Sequence, residues 1–74
     1  MPFIHVRAYT GRDMEMKKKT AEAIAKVASE TMKTPLASFR VAFEDIDPAL
    51  WDQDVETPFV EPITDKILFD GENA

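Results

Sequence analysis

One long run of helical period, flanked on each side by a short run of period two, constrains this chain more than any other feature. From Met14 to Lys33, residues Met16 or Lys17, Thr20, Ile24, Val27, Ala28, Thr31 and Met32 recur at three- and four-residue spacing. Ala21, Ala23 and Ala25 back them, while Glu15, Lys18, Glu22, Lys26, Glu30 and Lys33 make a polar side. That is an amphipathic helix. Before it, Phe3 to Tyr9 alternates, with Ile4, Val6 and Ala8 on one face and Phe3, His5, Arg7 and Tyr9 on the other. After it, Phe39 to Glu44 alternates too, with Phe39, Val41 and Phe43 opposite Arg40, Ala42 and Glu44. Both read as strands by period and by β-branched and aromatic content. Strand, helix, strand predicts a β-α-β unit with parallel strands and a right-handed crossover.

The joints agree with this reading. Thr10-Gly11-Arg12-Asp13 is a turn ending in a helix N-cap at Asp13. Pro35 disfavours helical geometry at Thr34 and so breaks the helix before the second strand. Beyond Ile46, Asp47-Pro48 repeats the cap-then-proline signal, opening a short helix through Leu50 and Trp51, and Thr57-Pro58 looks like another start. The main C-terminal helix is expected from about Pro62 to Phe69, with Ile63, Ile67 and Leu68 inward and Gly71 ending it. The fold class is therefore α+β: one domain over residues 1–74, with a β-α-β core at 2–46 and a helical extension at 47–74.

A chain of 74 residues buries only about 60% of its unfolded surface, so a solitary core is marginal without disulfides, metal or association. There is no Cys, which excludes disulfides and thiolate metal sites, and the single His5 cannot build a metal centre alone. Association remains. Two parallel strands with one helix leave edges unpaired and one sheet face open. Two chains pairing edge to edge would give a four-stranded sheet with both helices on one face, so an obligate homo-oligomer is expected, most simply a dimer.

The net charge of −5 argues against nucleic acid, which calls for a basic stripe. No apolar run approaches the length of a membrane span, and no targeting segment is visible, so the expected location is cytoplasmic. The distribution of cations carries more information than their sum. The three arginines, Arg7, Arg12 and Arg40, lie in or beside the strands, while the six lysines lie in helices or at their ends. Arginine suits fixed, bidentate carboxylate recognition and lysine suits solvated faces. A small anionic ligand at the sheet follows. Lys17-Lys18-Lys19 is read as a solvated first helical turn rather than an anion patch.

Pro2 stands directly before the first strand. Taken alone, a proline there is the start of an edge strand and nothing more. If Met1 is trimmed, as is usual before a small residue, Pro2 becomes a free secondary amine able to take up and release a proton. An amine of that kind needs its neutral form to act as a base. A nearby cation and an apolar neighbour such as Phe3 both favour that form.

Pro2 after the initiator, Gly11-Arg12 closing the first strand, and Thr34-Pro35-Leu36-Ala37-Ser38-Phe39-Arg40-Val41 together resemble the tautomerase superfamily, specifically its 4-oxalocrotonate tautomerase-like proteins. The spacing from Pro2 through Arg12 and Arg40 to Trp51 is similar to theirs without a gap, and residues 2–46 carry most of the resemblance. The resemblance implies catalysis without a cofactor, with Pro2 as general base for keto–enol or 1,3- and 1,5-proton shifts. It implies that Arg40, from a neighbouring subunit, binds the 2-oxo or enolate oxygen and the adjacent carboxylate, and that Arg12 anchors a distal carboxylate. Trp51 stands where the family has a phenylalanine in the apolar wall. His5 and Arg7 match no family residue and are read as structural or rim positions.

One departure bears on assembly and substrate. The hexameric enzyme of that family follows its wall aromatic with a glycine-rich hairpin, whereas here Asp52-Gln53-Asp54 and a proline-punctuated tail follow Trp51. The tail is similar to that of a dimeric branch, so a dimer is expected over a hexamer. The implied substrate is a small anionic 2-oxo or enol carboxylate. A 3-haloacrylate dehalogenase or hydratase of the same superfamily is the alternative, although Gln53 stands where its water-activating carboxylate is expected. A binding or regulatory module that kept the scaffold without the chemistry is the other.

Overall fold

The computed structural model describes residues 1–73 and contains the expected β-α-β unit. Strand β1 (Phe3–Tyr9), helix α1 (Met14–Met32) and strand β2 (Arg40–Ile46) follow in order, and β1 pairs with β2 in parallel. The register sets Phe3 opposite Arg40, Val6 opposite Phe43 and Arg7 opposite Glu44. Ile4, Val6 and Ala8 therefore share the inner face with Val41 and Phe43, beneath α1. Phe3, His5, Arg7 and Tyr9 share the outer face with Arg40, Ala42 and Glu44.

Asp13 caps α1 as the sequence predicts, its Oδ1 accepting from the Met16 N–H at 2.8 Å. The helix ends one residue earlier than its period suggested. Lys33 takes left-handed angles (φ 54°, ψ 45°), and the N–H groups of Lys33 and Thr34 both donate to the Ser29 carbonyl. A short 3₁₀ turn at Leu36–Ser38 then carries the chain back to the sheet. Strand β2 begins and ends later than predicted, running through Asp45 and Ile46, because Thr10 donates to the Ile46 carbonyl and extends the ladder.

The face α1 buries is narrower than the apolar stripe read from its period. Lys17, Thr20, Ala21, Ile24, Ala25 and Ala28 are half-buried, whereas Met16, Val27 and Met32 are exposed, Val27 at 63%. Lys17 also departs from a solvated first turn: its Nζ lies 2.8 Å from Asp45 Oδ2 and ties the start of α1 to the end of β2. Lys19 does pair in solvent, with Glu15 one turn before it. The contacts of α1 with the sheet fall mainly on β2, and Ile4, Val6 and Ala8 stay only half-buried.

The tail is where the structure corrects the sequence reading. Asp47 caps a 3₁₀ turn at Pro48–Leu50 as expected, accepting from the Ala49 N–H at 2.9 Å. The main helical segment then lies earlier than Pro62–Phe69: it is a π-helical stretch at Asp52–Val60, followed by 3₁₀ geometry at Glu61–Lys66. Thr57-Pro58 opens no new helix, since Pro58 sits inside the π segment. Ile63, Ile67 and Leu68 are not inward, and Leu68 is fully exposed at 100%. Gly71 begins a last 3₁₀ turn instead of ending a helix.

Among the described residues, Ile46 at 6% and Val55 at 4% are the deeply buried apolar side chains. Val55 comes from the π segment, so the extension supplies half of that small core. The radius of gyration is 13.7 Å, against about 11 Å for a compact chain of this length. One chain alone is too open to close a core. No helix among the described residues is long and apolar enough to cross a membrane.

Candidate active site

Pro2 is half-buried at the start of β1, and its carbonyl accepts the Arg40 N–H at 3.2 Å. The parallel register explains the pairing, because Arg40 opens β2 directly opposite Phe3. The Arg40 guanidinium carbon stands 5.3 Å from the Phe3 ring centroid, within cation–π range. The backbone of one arginine thus meets Pro2 and its side chain meets Phe3. Within its own chain Arg40 meets Pro2 through the backbone alone, and the Arg40 of a neighbour, which the resemblance implies for the site, belongs to an assembly of chains. Met1 is 92% exposed and lies ahead of the first strand residue. While Met1 is attached, the Pro2 nitrogen is a tertiary amide without useful basicity.

Arg12 and Trp51 stand elsewhere. Arg12 follows the other end of β1, where its Nη1 donates to the Tyr9 carbonyl at 2.9 Å. That bond fixes one edge of the guanidinium and leaves the rest of its donor fork exposed. Trp51 packs edge-on against Tyr9, with ring centroids 5.1 Å apart at 88°. Its Nε1 donates to Glu56 Oε1 at 3.2 Å. Phe3 and Tyr9 close opposite ends of a strand that rises about 3.3 Å per residue, so the two groups of candidates are about 20 Å apart in one chain. Pro2, Phe3 and Arg40 gather at one end of β1, and Arg12 and Trp51 each meet Tyr9 at the other, two candidate half-sites.

Between them, on the same outer face, lies a cluster that the sequence left as structural or rim positions. Glu44 Oε1 is 2.8 Å from His5 Nε2 and 3.6 Å from Arg7 Nε. The Arg7 guanidinium carbon sits 3.7 Å from the centroid of the Phe59 ring, so the π segment lies across this face. Tyr9, Glu56 and Phe59 were all missed as contributors. Glu56 is five residues after Trp51, a spacing that faces it only in a π-helix, so helical periodicity gave no signal for it. Phe59 fell in a stretch with no assigned element.

The chain matches the family model described as "Tautomerase enzyme" over residues 2–57. Comparison with curated proteins found no match. Among solved structures, the chain is similar to TomN, described as a 4-oxalocrotonate tautomerase homologue in the tomaymycin biosynthetic pathway. The likeness has 34% identity and a TM-score of 0.65, and it covers 68% of this chain and 77% of that one. The likeness is one of α+β architecture. By its β-α-β fold and these matches alike, the chain belongs to the tautomerase family, among the 4-oxalocrotonate tautomerase-like proteins.

Proposed function

We propose that this chain, once Met1 is removed, is a cofactor-independent isomerase with Pro2 as general base for keto–enol or 1,3- and 1,5-proton shifts. Its substrates are small 2-oxo or 2-hydroxy unsaturated carboxylates. The observation that carries the reading is the double attachment of Arg40 to the proline end of β1, by its N–H to the Pro2 carbonyl and by its guanidinium over Phe3. A cation so placed favours the neutral amine and stands where negative charge develops on an enolate oxygen. Pro2 removes the proton from one atom of the conjugated system and returns it to another, so nothing is consumed.

The second half-site comes from a second copy. A two-fold axis normal to the sheet sets neighbouring edge strands antiparallel. Pairing along β1 would then bring Arg12 and Trp51 of one chain to Pro2 of the other. Two features support the β1 edge: α1 lies mainly over β2, and the inner face of β1 is only half-buried. In this homodimer Arg12 orients the substrate by a distal carboxylate and Trp51 walls the pocket.

The test is an intact-mass measurement of the purified protein beside an assay on simple enolpyruvates. Turnover confined to the fraction lacking Met1 is the expected result. Turnover equal in chains that retain Met1 would overturn the assignment of the base, and halide release from 3-haloacrylates without enol turnover would move the protein to the dehalogenase alternative.

A further inference from the structure

Arg7 and Phe59 have no part in the proposed chemistry, yet they make a close, directed contact between the tail and the sheet. Trp51 is held to the sheet by its edge contact with Tyr9. Its hydrogen bond to Glu56 lies within its own segment and moves with it. Val55, between Trp51 and Phe59 in the sequence, is buried, but apolar burial is non-directional and permits the segment to pivot. Eight residues beyond Trp51, Phe59 lays its ring over the Arg7 guanidinium at 3.7 Å. Arg7 is held in place by Glu44, which faces it across the strands and whose other neighbour is His5 at 2.8 Å. The order of contacts, Trp51 on Tyr9 and Phe59 on Arg7, shows the π segment running back along β1 from its far end.

We infer that Arg7 and Phe59 are positioning residues: their cation–π contact locks the π segment on the outer sheet face and thereby sets where the Trp51 wall stands. Val55 is the fulcrum. Releasing Phe59 at one end swings Trp51 at the other, away from Tyr9. Glu44 and His5 act one step further out by keeping the Arg7 fork turned toward the ring. This inference rests on the proposed role of Trp51 as pocket wall.

The chain has one tryptophan, so its emission and its quenching by acrylamide report the position of Trp51 without any turnover. The full-length, processed protein is compared with Arg7→Met and Phe59→Leu, which keep apolar bulk and delete the cation or the ring, and with Phe59→Tyr, which keeps the ring. Circular dichroism establishes that each variant is folded. Arg7→Met and Phe59→Leu should red-shift the emission and quench faster. Each should raise KM for an arylenolpyruvate about three- to tenfold, the range of a partly desolvated cation–π contact, with kcat within about twofold. Phe59→Tyr should restore both readouts. Unchanged quenching in folded Arg7→Met and Phe59→Leu overturns the lock, whatever happens to melting temperature. Faster quenching with unchanged KM overturns the link to the pocket. Absence of turnover in the parent protein would instead sink the proposed function, and the quenching comparison would still decide the lock.

Discussion

Pro2 and Arg40 are joined through a main-chain hydrogen bond that depends on neither side chain. Replacing Pro2 with alanine keeps that bond and still permits Met1 removal. Pro2→Ala should therefore leave the folding free energy within about 0.5 kcal/mol of the parent while turnover falls about 10²–10⁴-fold, the usual worth of a general base. Steady-state rates beside a urea melt check both halves. Arg40→Ala should lower kcat about 10²–10³-fold, as removal of an oxyanion donor does. Arg12→Ala should act mainly on KM, about tenfold for a diacid and far less for a monoacid, since its free donors can reach only a distal carboxylate. Equal losses on both substrates would remove the distal-anchor role. The resemblance singled out these three residues in the sequence. Sequence could not show that Arg40 sits with Pro2 while Arg12 does not, because that follows from strand register and from the length of β1.

The elements differ in how plainly the sequence announces them. Strand β1, helix α1 and their cap at Asp13 were readable because alternation, a 3.6-residue period and an N-cap are local signals. The segment Asp52–Val60 was not, for two physical reasons. An i→i+5 ladder sets Glu56 beside Trp51, a pairing an α-helical template does not give, and Pro58, which has no N–H to give, reads as a break. The end of α1 carries a further prediction. Lys33 adopts φ 54° where glycine has no steric penalty, so Lys33→Gly should stabilise the fold by about 1 kcal/mol. A higher urea midpoint with an unchanged slope is the expected signature, and a lower midpoint would show that the lysine side chain makes a contact worth more than the strain.

At the scale of the molecule, two deeply buried apolar side chains cannot hold 74 residues together. The exposed apolar stripe of α1, running through Ala23, Val27 and Met32 beside Ile24, is where a second copy would add to the core. Val27→Glu, placing a charge in that stripe, should shift the sedimenting species toward monomer. Activity should fall with it, because each half-site would lose its complement. A variant that stays dimeric and fully active would place the interface elsewhere.

The exposure of Met1 has a consequence for how activity is dosed. The residue is 92% open to solvent, and β1 begins only after Pro2, so trimmed and untrimmed chains should fold alike and pair alike in the proposed dimer. If the proposed dimer forms, a pool of mixed chains would give mosaic pairs in which one nitrogen is acylated and its companion is free. Each free proline would still meet a complete set of partners, because an untrimmed companion would lend its arginine and tryptophan unimpaired. Output should rise in simple proportion to the trimmed fraction, with no threshold and no dominant poisoning by the untrimmed form.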